Sequence, residues 1–140
     1  MDLKQFKTVE QLAAAIKTLD MVTSVAWTDY TATSTRVGWA SFTTAQIKYK
    51  KIGGLVFVQF ELRGTSDDTV ATMTLPFAQT GGTTINPLIR IKNDGTWGTG
   101  FASFPLDSST VTFYANTAGA AWHVSAADKW VIGQFWYEAA

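Results

Sequence analysis

From Val25 onward, apolar and polar residues alternate in short runs, cut at intervals of roughly eight to twelve residues by clusters of Gly, Asn, Asp and Ser, a spacing typical of sandwich and barrel strands. A period of two sends successive side chains to opposite faces, so a chain written this way folds by burying one face of a sheet. The clearest unit is a hairpin. Ala45, Ile47 and Tyr49 alternate with Gln46, Lys48 and Lys50; Gly53-Gly54 then turns the chain into 55–63, where Val56, Val58, Phe60 and Leu62 share a face.

Further strands follow the same logic. A turn at 64–68 leads to a strand at 69–75, ended by Pro76, which has no backbone donor. A loop at 78–86 holds Gly81-Gly82. Segments 88–92 and 97–104 flank Asn93-Asp94-Gly95, residues suited to positive φ, which predicts a second hairpin. Strands are expected at 110–114, 122–124 and 130–137, with a turn near Asp128. The last strand carries Ile132, Gln134 and Trp136 on one face and Val131, Phe135 and Tyr137 on the other, so it is expected in the middle of a sheet or at a subunit contact. The count, about eight or nine strands, is enough for two stacked antiparallel sheets.

One segment departs from this texture. Val9, Leu12, Ile16 and Leu19 fall at alternating spacings of three and four, Ala13 to Ala15 favour helix, and Thr8 with Gln11 forms a capping-box signature. The spacing predicts a helix over 9–20. The same stripe suits the seam of a two-heptad coiled coil or an amphipathic helix lying on its own domain; either way it needs a partner surface. The chain divides into an N-terminal helical anchor or trimerisation segment at 1–24 and a β domain at 25–140.

Composition narrows the function. Eleven basic and eleven acidic residues cancel, leaving no net field to attract a nucleic-acid backbone or an anionic membrane. No stretch approaches the roughly 20 apolar residues of a membrane span, and residues 1–22 lack the apolar run of a signal peptide, so the chain reads as soluble and unprocessed. Without Cys there is no thiolate chemistry, and a single His leaves almost only oxygen ligands, so neither metal nor cofactor is expected.

Candidate chemistry is sparse. His123 has no Ser or carboxylate beside it in sequence, and the glycines at 95, 98 and 100 lack the helix and Lys-Ser/Thr ending of a phosphate loop. Asp67, Asp68, Asp94, Asp107 and Asp128 fall in turn-like contexts, where they are expected to cap backbone groups. Glu61 and Arg63 alternate on one strand face and read as a solvated or intersubunit ion pair. Among six tryptophans, Trp27 and Trp136 are read as core; Trp39, Trp97 and Trp122, set among small residues, are open to core packing or to ligand and interface contact, with His123 beside them.

The ordered strings Trp27-Thr28-Asp29-Tyr30, Tyr49-Lys50-Lys51-Ile52-Gly53, Val56-Phe57-Val58, Gly64-Thr65-Ser66, Leu75-Pro76-Phe77, Val111-Thr112-Phe113-Tyr114 and Gly133-Gln134-Phe135-Trp136-Tyr137-Glu138-Ala139 span roughly residues 25–140. In that order they resemble a β-sandwich module of tailed-bacteriophage virion proteins, found at the C-terminal ends of tail fibres, tail-tip proteins and head-fibre or decoration proteins. The resemblance implies a jelly-roll-like homotrimer on the virion surface, touching capsid or tail proteins, with no catalytic residues carried over. Only about 24 residues precede the module here, which favours a short head fibre, decoration or spike subunit over a long fibre. Val and Ile at a with Leu at d favour two strands, so a trimer would be set by the β domain. A receptor-binding domain stacking host glycans on Trp97, Trp122 or the Gly81-Gly82 loop is the alternative, and a glycan-cleaving enzyme a third.

Overall fold

The computed structural model describes residues 8–23, 25–124 and 128–140, with side chains at 18–23 outside that description. Helix α1 (Val9–Thr23) starts where the capping signature places it: the Gln11 amide donates to Thr8 Oγ1 at 3.2 Å. It runs past the expected end at Asp20 to Thr23. Val9 is 83% exposed and Ile16 51%, so the β domain of the same chain does not cover the stripe at these positions. Leu19 belongs to the stripe, but its side chain lies outside the described residues.

The remainder is mainly β, with 54% of residues in strands. The strands are β1 (Thr28–Asp29), β2 (Arg36–Val37), β3 (Trp39–Ile52), β4 (Leu55–Ser66), β5 (Thr72–Thr74), β6 (Leu88–Asn93), β7 (Thr96–Ser103), β8 (Thr110–Tyr114) and β9 (Asp128–Glu138). They join in one curled antiparallel sheet, a half-barrel, in the order β1-β3-β4-β9-β6-β7-β8-β5-β2. β9 is central, between β4 and β6, one of the two places its sequence pattern allowed, with Val131, Phe135 and Tyr137 inward and Trp136 outward.

Both expected hairpins form. Ile52 pairs with Leu55 across Gly53-Gly54, and Asn93 pairs with Thr96 across Asp94-Gly95, where φ is +50° and +78°. Positive φ at both central residues matches the right-handed twist of the flanking strands. One expectation fails: residues 122–124 form no strand, because the Trp122 amide donates to Thr69 O in a loop. Asp128 itself opens β9 opposite Thr65, and the turn expected near it would fall on 125–127, outside the described residues.

Curling brings the inner face onto itself. Val56, Val58, Phe60 and Leu62 of β4 are buried with Ile89, Ile91, Val111, Phe113, Val131, Phe135 and Tyr137. Phe60 reaches Phe113 of β8 at 5.2 Å between ring centroids, although three strands lie between β4 and β8 in the sheet. β3 bulges twice near its start, and Gly64 of β4 faces that irregularity; a Cβ there would lie 1.8 Å from Ser41 O. Only Gly fits such a backbone approach.

The sheet's two edge strands, β1 and β2, are consecutive in sequence, so residues 30–35 span the opening of the half-barrel. The Tyr30 amide donates to Ile47 O at 2.8 Å, while its hydroxyl donates to Leu75 O at 3.0 Å. The Thr74 amide donates to Thr35 O at 2.9 Å. This strap ties the β3 flank to the β5 flank.

Candidate functional site

Burying Val56, Val58, Phe60 and Leu62 inward forces Phe57, Gln59, Glu61 and Arg63 to the outside of β4. The neighbours follow in register. Lys50, Phe57 and Trp136 form one row across β3, β4 and β9; Asp29, Lys48, Gln59 and Gln134 form the next; Gln46, Glu61, Ile132 and Arg90 the third; Arg63, Trp130, Lys92 and Trp97 the fourth. The outer face is thus a grid of aromatic, amide and basic side chains.

The side chains of its fourth row pack on one another, although the buried Trp130 Nε1 has no hydrogen-bond partner. The Arg63 guanidinium lies 4.7 Å from the Trp130 ring, Trp130 packs on Trp97 at 4.7 Å, and Arg90 covers Trp97 at 4.1 Å. Asp128 accepts from Arg63 Nε at 3.2 Å and from Lys92 Nζ at 3.0 Å. These hydrogen bonds, that of Arg63 foremost, hold the Asp128 carboxyl below its ordinary 3.8. The partner of Arg63 is therefore Asp128 and not Glu61, because β4 and β9 pair Arg63 against the start of β9.

The first two rows are open. Trp27, Lys50, Phe57, Gln59, Gln134 and Trp136 line a surface hollow of about 470 Å³. Trp136 is 57% exposed, and Trp27 also reaches solvent. The core reading of these two tryptophans is thus corrected. Trp136 follows the outward parity of β9, whose inward places belong to Phe135 and Tyr137, and Trp27 precedes the edge strand β1 with Lys48 and Lys50 over its ring at 5.3 and 4.9 Å.

The candidates named from sequence separate. Trp39 and Trp122 are buried, at 7% and 3% exposure, and flank the fully buried Lys129, each with its ring 5.4 Å from Nζ. Lys129 Nζ donates to the carbonyls of Gly38 at 2.7 Å, Asp68 at 2.8 Å and Val70 at 3.4 Å. Burial pushes its pKa down to about 8, with Asp67 and Asp68 acting in the opposite sense. This is a structural knot inaccessible to a ligand. Trp97 and His123 stay at the surface and line one shallow depression beside the second hairpin. The fold does bring a carboxylate to His123: Nδ1 lies 3.8 Å from Asp94 Oδ2, both side chains exposed.

Among the described residues no cluster of three His, Asp or Glu side chains could hold a metal ion, and no helix is long and apolar enough to cross a membrane. Turn chemistry accounts for Asp68, which caps the Val70 amide at 3.1 Å, and Asp107 sits in a turn at φ +55°. No model of a known protein family matches the chain, and no curated protein matches it. The outer face presents flat indoles, the Gln59–Gln134 amide pair and ammonium groups on the sheet.

Proposed function

We propose that this protein is a structural surface subunit of a tailed-phage virion, a short head fibre, capsid decoration or spike, that assembles as a homotrimer and performs no catalysis. The observation that carries the proposal is the exposure of two residues of the helix stripe, Val9 and Ile16. Val9 and Ile16 are apolar, spaced for a helical seam, and left in solvent by their own chain. Copies of the same segment, or a groove on a capsid or tail protein, supply the missing surface.

The sheet pairings support the jelly-roll part of the reading. β4 pairs with β9, β5 with β8 and β6 with β7, a nested set produced by rolling one long antiparallel hairpin around a core. The flanks would be the two layers, met at Phe60 and Phe113. Light scattering of the purified chain is expected to give a trimer, and antibody labelling is expected to decorate intact particles. A stable monomer at micromolar concentration overturns the assembly, and unlabelled particles overturn the location.

A second reading, a receptor-binding domain for host-surface glycans, is favoured by the open hollow between Trp27 and Trp136. It moves the contact away from Trp122 and the Gly81-Gly82 loop.

A further inference from the structure

We infer that the hollow between Trp27 and Trp136 is a binding site for an acidic oligosaccharide, one whose sugars carry carboxylates. The inference rests on the glycan-binding reading and adds the place and the ligand class. Lys50, Phe57 and Trp136 stand in register, and Trp27 falls one position beyond the pair Thr28–Tyr49, opposite Lys50. Three strand-to-strand steps separate the two indoles at the backbone by about 14 Å. That span suits several linked sugars.

The chemistry of each element selects the ligand. Indole faces take the apolar C–H faces of pyranose rings. Gln59 Nε2 donates to Gln134 Oε1 at 3.1 Å, a bond that fixes both amides yet leaves the Gln59 carbonyl and the Gln134 amino group for hydroxyls. Lys50 is the charged residue lining the hollow and no carboxylate lines it; Asp29, on the far side of Trp27, stands opposite Lys48, so the charge facing an anion inside the hollow is that of Lys50. A second copy presenting the same face fits poorly, since Lys48 and Lys50 would meet their own counterparts.

Tryptophan fluorescence of the full chain, titrated with sialyllactose and oligogalacturonate as acidic probes and with lactose and maltotriose as neutral ones, tests the site. The acidic probes are expected to shift the emission. Trp136→Ala should weaken them about tenfold, and Lys50→Gln about fivefold while leaving any neutral binding unchanged. Both side chains are at the surface, and circular dichroism checks that each variant folds. No response to either acidic probe up to about 10 mM, where a millimolar site registers, overturns the site. Equal binding of neutral probes, untouched by Lys50→Gln, overturns the acidic assignment. Loss of the oligomer in Trp136→Ala without probe binding by the parent chain makes the hollow a subunit contact and also overturns it. None of these results bears on particle labelling, so the virion proposal stands or falls separately.

Discussion

The ammonium of Lys129 donates to the carbonyl of Gly38 across 2.7 Å, from the start of β9 to the residue between β2 and β3. The same nitrogen reaches Asp68 and Val70, and Trp39 and Trp122 close over it, so one side chain gathers three remote stretches of chain. Lys129→Ala removes the charged donor of those carbonyls, leaving Gly38 O and Asp68 O only the long bonds from the Asp67 amide and Ser66 Oγ, each at 3.4 Å, and opens a cavity between the rings. It is expected to cost about 3 kcal/mol or more in urea unfolding, with little change in the slope. A loss below about 0.5 kcal/mol, the level of an ordinary surface substitution, would show that the knot does not hold the fold.

Gly64 and Gly98 make a matched pair. A methyl at Gly64 would collide with the Ser41 carbonyl of the β3 bulge, whereas one at Gly98 meets nothing nearer than Ile91 Cδ1 at 3.5 Å. Gly64→Ala is expected to destabilise by about 2–3 kcal/mol and Gly98→Ala by less than about 1 kcal/mol, as read from thermal or urea midpoints. Equal effects would contradict the bulge geometry.

Acid stability should report on Asp128. Its folded pKa lies below the ordinary value because Arg63 and Lys92 hydrogen-bond the carboxylate. The stabilisation is therefore fully present above about pH 4 and disappears as pH falls through the depressed folded value. Asp128→Asn is expected to cost about 1 kcal/mol at neutral pH, a modest figure because Arg63 is partly exposed. The variant should also lose less stability than the parent on acidification. Parallel acid curves would assign the loss to other groups.

The helix offers a cleaner separation of assembly from folding. Ile16→Asp places a charge in the bare stripe without touching the sheet. Under the proposed trimeric assembly, light scattering should show a lower mass for the variant than for the parent, while the unfolding midpoint of the β domain, measured in dilute solution, stays within about 2 °C. An unchanged oligomer would leave assembly to the sheet alone.

Local signals were the readable part of this fold. Gly53-Gly54 and Asp94-Gly95 announced their hairpins because turn geometry is written in adjacent residues. Thr8 and Gln11 announced the start of the helix for the same reason. What the sequence concealed depends on partners far along the chain. β1 and β2 are two residues each, too short for any period, and exist because β3 and β5 receive them. Asp128 looked like a turn residue because Arg63, its partner, is 65 positions away.

The tryptophans show the same division. Trp39 and Trp122 are buried by Lys129, which no spacing reveals. Trp136 could have been placed outside from parity alone, since it shares a face with Gln134 while Phe135 and Tyr137 share the other. The paired amides of Gln59 and Gln134 needed the register of β4 against β9 before they became neighbours.

The strap at 30–35 has a mechanical side. A pull entering through α1 meets the sheet first at β1, which can peel from β3 one pair at a time, and then at Tyr30, anchored to Ile47 on one flank and Leu75 on the other. Stretched from its N-terminus in a pulling experiment, the protein is expected to release a few residues at low force and then stop, with Tyr30→Phe removing part of that stop. A single high-force rupture would contradict this order. A domain held this way yields first at its N-terminal edge, so Trp27 leaves its place against Lys48 and Lys50 before the sheet beyond Tyr30 opens.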